Sequence, residues 1–131
     1  MKLFILFVMI FSHIVDDYYL QGILASLKQK NWWENQKSYK PMYKYDYIVA
    51  LIMHAFSWSF MISLPILYLG FTKWIAVAII LNTIIHGIVD DFKANKHKIN
   101  LIIDQSIHIT QVVITWILMV LIKKMIYKEK K

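Results

Sequence analysis

Four long apolar stretches, separated by polar segments, dominate the pattern of hydrophobic and polar positions along the chain. They cover residues 3 to about 24, 47–69, 73–89 and 102–122. Each is close to the ~20 residues with which a helix crosses about 30 Å of hydrocarbon. The pattern therefore predicts an all-α fold, an integral membrane four-helix bundle. It would form one domain over residues 1–131, with a charged C-terminal tail at residues 123–131.

The first apolar stretch begins like a signal peptide, because Lys2 precedes it. His13, Asp16 and Asp17 interrupt the region in which cleavage would occur, and no small-residue cleavage motif follows. We therefore expect this stretch to be a retained membrane helix.

The composition is typical of a membrane protein and excludes several kinds of functional site. The chain is 59% hydrophobic with a mean hydropathy of +0.50. It has no Cys, which excludes disulfides and a thiolate zinc site. All 15 basic residues are Lys, and the net charge of +7 suits an anionic membrane surface. The lysines are scattered among the connections rather than along one stripe, so we expect no nucleic-acid partner.

Ionisable residues recur at helical spacing inside these apolar stretches. Three pairs stand four residues apart, more than random placement gives: His13/Asp17, His86/Asp90 and Asp104/His108. Four residues is just over one helical turn, so each pair shares a helix face. Ionisable groups inside a membrane are costly and mark function by default. His54, in the second stretch, adds a further imidazole.

Connectivity brings these groups to one end of the predicted bundle. In four antiparallel helices, the ends of spans one and three lie on the same side as the starts of spans two and four. The pairs and His54 therefore fall in one half of the bilayer, toward the first and third connections. Lys93 and Gln21 continue the stripes of His86/Asp90 and His13/Asp17. We expect Asp16 and Asp91 to point away from these stripes, toward the interface.

A His/Asp set without Cys suits zinc first, with manganese or iron as alternatives. The candidate metal ligands are His13, Asp17, His54, His86, Asp90, Asp104 and His108. Seven exceed one tetrahedral site, so two adjacent metals, or one metal with hydrogen-bonded neighbours, would fit. Asp17 is also a candidate general base and Lys93 a candidate phosphate-binding residue, and either Gln21 or Gln111 could orient the substrate. The alternative is that each His and Asp pair only joins helices through hydrogen bonds.

The same residues carry a family resemblance. The segments H-I-V-D-D-Y-Y-L-Q, H-G-I-V-D-D-F-K and D-Q-S-I-H, together with His54, resemble a small integral-membrane family of bacteria and phages that is uncharacterised. That family is similar to the YdjM-like membrane-bound metal-dependent hydrolases and, more remotely, to the zinc phospholipase C and single-strand nuclease group. The resemblance implies that the seven candidates are ligands, with Lys93, Gln21 and Gln105 beside the site. It also implies a bacterial inner-membrane location.

The leading function is metal-dependent hydrolysis of a phosphoester in a lipid or a lipid-linked substrate. The site would lie near headgroup depth, and no Ser or Cys nucleophile motif is present. One alternative is a divalent-cation or proton transporter, because intramembrane His/Asp chains also form ion pathways. Another is a membrane regulator with a structural metal site. Expected partners are membrane lipid and possible further copies of the chain as a homo-oligomer.

Overall fold

The computed structural model describes residues 2–36, 41–68, 70 and 72–129, and over these residues the fold is all-α. The helices are α1 (Lys2–Ile14), α2 (Leu24–Leu27), α3 (Lys30–Glu34), α4 (Asp46–Leu67), α5 (Lys73–Ala94) and α6 (Leu101–Glu129). The side chains of residues 123 and 125–129 are outside this description. In the predicted charged tail, residues 123–131, the backbone is therefore described as far as Glu129 in α6, whereas most of the side chains are not.

The first apolar stretch is not one regular α-helix. After Ile14 the chain continues as a π-helical turn, Val15–Leu20, in which the Gln21 amide donates to the Asp16 carbonyl at 3.0 Å. Gly22 then ends this segment with a φ of +47°, a conformation that glycine adopts at little cost. The short helices α2 and α3 follow, and a 3₁₀ turn at Pro41–Tyr43 leads into α4.

Helices α1, α4, α5 and α6 form a ring in which each packs against its two neighbours. Hydrogen bonds at the two ends of the bundle fix which connections lie together. At one end the Lys30 amide donates to Asn95 Oδ1 at 2.8 Å, which joins the first connection to the third. At the other end Trp116 Nε1 donates to the Lys2 carbonyl at 2.9 Å. The antiparallel arrangement predicted from connectivity is therefore confirmed.

Four helical segments are long and apolar enough to cross a membrane: Lys2–Leu20, Pro41–Leu67, Lys73–Ala94 and Leu101–Ile122, each with a mean hydropathy of 1.7. The third helix extends beyond its predicted end at residue 89, because Asp90 interrupts the apolar run without interrupting the helix. Large apolar side chains cover the outside, including Phe4 (68% exposed) and Ile102 (76% exposed).

The inside of the bundle has two layers. An apolar layer fills the half near the α4–α5 connection and consists of Met9, Trp58, Ile62, Ile66, Ile75, Val112 and Met119. The other half, toward the first and third connections, contains the buried His and Asp side chains. The polarity is thus the reverse of an ordinary soluble domain, in which apolar side chains are buried and ionisable ones exposed. The fold holds the polar layer against an apolar base.

Candidate metal centre

The structure brings all seven predicted ligand residues together in the polar layer. None of their side chains is more than 7% exposed. Helix α1 and its π turn supply His13 and Asp17, α4 supplies His54, and α5 supplies His86 and Asp90. Helix α6 supplies Asp104 and His108. The predicted convergence in one half of the bundle is therefore confirmed.

His54 lies at the centre of the first of two ligand groups. Its Nε2 atom is 3.3 Å from Asp17 Oδ1, 3.3 Å from Asp90 Oδ2 and 3.2 Å from His86 Nε2. One ring nitrogen carries at most one proton, so it cannot satisfy three electron-rich neighbours at once. Asp17, His54 and His86 offer ligand atoms that all lie within 4.8 Å of one another.

The second group lies between α5 and α6 and shares His86 with the first. It consists of His86, Asp90 and His108, again with ligand atoms within 4.8 Å of one another. His108 Nε2 is 3.3 Å from Asp90 Oδ1 and 3.4 Å from Asp104 Oδ1. The rings of His86 and His108 stack with centroids 4.0 Å apart. Either group could hold a metal ion, and the two are adjacent.

The contact of His108 Nδ1 indicates which nitrogen of this ring carries a proton. Its Nδ1 donates to Gln111 Oε1 at 3.1 Å. The Gln111 amide is oriented in turn, because its Nε2 donates to Asn82 Oδ1 at 3.3 Å. With Nδ1 protonated, the Nε2 atom that faces two carboxylates either carries a second proton or binds a cation. A histidine whose other N–H is held by a polar neighbour is the usual arrangement of a metal ligand.

The distances between ligand atoms fit a small divalent ion. Zinc–nitrogen and zinc–oxygen bonds of about 2.0–2.1 Å place neighbouring tetrahedral ligand atoms roughly 3.3 Å apart. The separations of 3.3 Å from His54 Nε2 to Asp17 and 3.2 Å to His86 are compatible with that spacing and also with hydrogen bonds. Imidazole and carboxylate donors without a thiolate suit zinc, manganese or iron.

Charge balance also leaves room for a cation. Two ammonium groups reach the site: Lys28 Nζ lies 2.5 Å from Asp90 Oδ2 and Lys93 Nζ 2.6 Å from Asp104 Oδ2. With Asp16 and Asp17 the polar layer holds four carboxylates. Among the described residues, two negative charges thus remain uncompensated when the imidazoles are neutral, and buried unpaired charge is strongly unfavourable. One divalent cation balances them, and so would two protonated histidines.

Two of the seven predicted ligands, His13 and Asp104, lie outside both ligand groups, although Asp104 Oδ1 is 3.4 Å from His108 Nε2. Trp58 Nε1 donates to His13 Nδ1 at 2.7 Å, and His13 Nε2 donates to Gln105 Oε1 at 3.1 Å. Both nitrogens of His13 are therefore engaged, and this residue lies outside both ligand groups. Gln105 also donates to Asp17 Oδ2 at 2.9 Å and so links α6 to the π turn. Gln21 donates to the Asp17 carbonyl and has a buried Oε1 without a partner among the described residues.

Asp16 was expected at the interface, and that prediction is wrong. Its side chain is only 1% exposed, and Ser57 Oγ donates to its Oδ1 at 2.7 Å. The prediction assumed a regular α-helix, in which consecutive residues face different sides. The π turn changes the winding at this point, so Asp16 and Asp17 both reach the interior. Asp91, in a regular α-helix, pairs with the exposed Lys96 at 2.9 Å, in agreement with its predicted interfacial place.

Sequence reasoning also missed Lys28. Its side chain is 12% exposed, and the ammonium group reaches Asp90 from the end of α2, a helix too short to give a periodic pattern. The one signal in the sequence was local: Gly22 interrupts the first apolar stretch, and a short apolar segment follows it. In the structure this segment, α2, packs against α4. His97, given no role, is exposed as expected.

The polar layer ends within the bundle. Asn82 Nδ2 donates to Thr115 Oγ1 at 2.9 Å, and below this pair the described side chains form the apolar layer. Ser59 and Ser63 donate to carbonyls of their own helix at 2.8 Å and so extend no chain across it. Trp58 stacks on His86 with centroids 4.2 Å apart and forms part of this base. The site is thus closed toward the α4–α5 connection.

No protein-family model, curated protein or solved structure matches this chain.

Proposed function

We propose that this chain is an integral membrane protein that binds a divalent metal ion, zinc first, in the His/Asp polar layer. We further propose that it hydrolyses a phosphoester of a lipid or lipid-linked substrate. The observation that carries the metal proposal is His108. Its protonated Nδ1 is held by Gln111, and its Nε2 is directed at two buried carboxylates. A divalent cation satisfies this arrangement together with the charge balance.

Membrane insertion is supported by the distribution of side chains. Four helical segments have the length and hydropathy of membrane spans, and the outside of the bundle is apolar. All the acidic and imidazole side chains of the polar layer are turned inward, which avoids the cost of facing lipid. Scattered lysines in the connections suit an anionic headgroup layer.

Hydrolysis is supported by the placement of the polar layer. It lies in the half of the bundle near the first and third connections, the end that we place at the lipid headgroups, and the apolar layer lies below it. A bound metal supplies an activated water and polarises a phosphoryl oxygen. Asp17 is desolvated and lies beside His54, where it can serve as ligand or as general base. The Lys93 side chain is 35% exposed at the edge of the polar layer, and a substrate phosphate could draw its ammonium group away from Asp104.

A continuous ion pathway would require polar groups through the other half of the bundle. The described residues there form the apolar layer, which favours a site confined to one half of the bundle over a transporter. An enzyme and a metal-binding regulator would both have a polar site confined to one half of the bundle. The decisive experiment must therefore detect turnover of a substrate.

The test is metal analysis followed by a substrate screen. Protein purified in detergent without chelators should carry zinc, manganese or iron in near-stoichiometric amount. The protein should then hydrolyse phospholipid or polyprenyl-phosphate substrates in vesicles, dependent on metal and on Asp17. Metal-free protein that takes up no metal on titration would overturn the proposal in favour of hydrogen bonds that only join helices. Metal binding without any turnover would overturn the hydrolase and leave a regulator.

A further inference from the structure

Asp16 and His54 face each other across a gap that neither fills. Asp16 Oδ2 lies 4.0 Å from His54 Nδ1, too far for a hydrogen bond. Both atoms are buried, and neither has a hydrogen-bond partner among the described residues. A buried polar atom without a partner is costly, so two of them side by side require an explanation.

The other oxygen of Asp16 is already fixed. Ser57 Oγ, one turn from His54 on α4, donates to Asp16 Oδ1 at 2.7 Å. The Asp16 carboxylate is thus hydrogen-bonded to α4, the helix that carries His54, and its Oδ2 atom faces the His54 ring. A displacement of about 1 Å would bring Oδ2 and Nδ1 to a normal hydrogen-bond distance.

Metal binding at Nε2 supplies the reason for that displacement. A neutral imidazole that gives its Nε2 lone pair to a cation carries its proton on Nδ1. That proton needs an acceptor, and metal-ligating histidines usually donate it to a carboxylate, a carbonyl or water. Asp16 Oδ2 is the carboxylate oxygen that faces His54 Nδ1 in this structure.

We propose that Asp16, held by Ser57, is the positioning residue that fixes the tautomer and orientation of His54 for metal binding. This inference rests on the proposed metal function and concerns a residue that is not itself a ligand. Two consecutive carboxylates then stand beside the two ring nitrogens of His54: Asp17 beside Nε2 and Asp16 beside Nδ1. The π turn at Val15–Leu20 is the feature that turns both of them inward.

The chain provides a matched control. Asp90 and Asp91 form a second Asp-Asp dipeptide, but in a regular α-helix, where only Asp90 enters the polar layer. Asp91 instead pairs with Lys96 at the surface. Asp16→Ala and Asp91→Ala therefore remove the same chemical group next to a predicted ligand, and only one of them removes the carboxylate that faces His54.

The experiment measures zinc affinity of the full-length protein in detergent by competition with a chelator. Asp16→Ala should weaken binding about 10–100-fold, as loss of such a supporting carboxylate typically does. Asp16→Asn, which keeps an acceptor oxygen but loses the charge, should fall between Asp16→Ala and the parent protein. Asp91→Ala should bind zinc like the parent, and Ser57→Ala should show a smaller loss than Asp16→Ala.

A second readout separates positioning from general packing. In protein labelled with ¹⁵N at histidine, zinc should place the His54 proton on Nδ1, and Asp16→Asn should shift that resonance while the His108 signals stay. If Asp16→Asn and Asp16→Ala bind zinc as tightly as Asp91→Ala, Asp16 has no such role, although the metal site stands. If the parent protein binds no zinc, both this inference and the proposed function are wrong.

Discussion

The Nε2 atoms of His54 and His86 lie 3.2 Å apart, one contributed by α4 and the other by α5. Such a contact between two ring nitrogens requires either a shared proton or a cation that accepts both lone pairs. Asp17 and Asp90 stand beside this pair, at 3.3 Å from His54 Nε2. The negative surroundings favour positive charge between the two rings, which a divalent ion or a protonated imidazole would supply.

Replacement of His86 should remove the metal. His86 belongs to both ligand groups, so His86→Ala leaves neither of them complete. We expect metal content, measured by mass spectrometry on purified protein, to fall from near one ion per chain to background. His97→Ala is the control, because His97 is exposed in the third connection. Equal metal content in both variants would contradict the assignment of the site.

Removal of Lys28 should strengthen divalent metal binding. Its ammonium group lies 2.5 Å from Asp90 Oδ2 and repels a cation that approaches the same carboxylate. In a buried setting, loss of that repulsion should raise zinc affinity of Lys28→Met by at least about tenfold. Lys30→Met is the matched control, because Lys30 pairs with the exposed Glu34 at 3.5 Å. An unchanged or weaker affinity in Lys28→Met would show that Lys28 supports the site.

The helices and their convergence could be predicted from the sequence, because both follow from simple rules. Span length sets the number of helices. The spacing of four residues between His86 and Asp90, and between Asp104 and His108, puts each pair on one face. Antiparallel connectivity then brings the faces to one end. These steps use only local periodicity and topology, and the structure confirms them.

The parts that could not be predicted depend on irregular backbone or on long side chains. A π turn has no periodic signal, so the inward position of Asp16 is visible only in the structure. Lys28 reaches Asp90 across 62 positions of sequence from a short helix. His13 satisfies the spacing of a ligand, yet Trp58 and Gln105 take both of its nitrogens, and spacing alone cannot show such partners.

Single-cysteine labelling should place the connections on two sides of a membrane. The chain has no native Cys, so each introduced thiol is the only one present. Cysteines at Gln36 and His97 should react from one side of sealed vesicles, and cysteines at Thr72 and Lys124 from the other. The measurement is labelling by a membrane-impermeant maleimide before and after permeabilisation. Any other grouping would contradict the four-span arrangement.

Replacement of Lys93 should impair substrate binding more than metal binding. Its side chain is 35% exposed, its ammonium group pairs with Asp104 at the edge of the polar layer, and an ammonium cannot itself ligate a cation. Loss of one charge-assisted hydrogen bond to a phosphate should raise the KM of Lys93→Gln about tenfold. Zinc affinity should be kept or increased, because Asp104 loses its cationic partner. Lys96→Gln is the control, since Lys96 pairs with Asp91 outside the site.

Replacement of Asp17 should separate catalysis from transport. Its carboxylate is 7% exposed and held by Gln105 and His54, so Asp17→Asn keeps the shape while it removes the charge. Without its negative charge, residue 17 could act neither as a metal ligand nor as a general base. We therefore expect the rate of phosphoester hydrolysis to fall at least about 100-fold. Asp46→Asn, at the start of α4, should keep full activity. The measurement is phosphate release from lipid vesicles with added zinc or manganese. If Asp17→Asn instead abolishes metal or proton flux in proteoliposomes, while the parent protein releases no phosphate, the chain is a transporter and the hydrolase proposal is wrong.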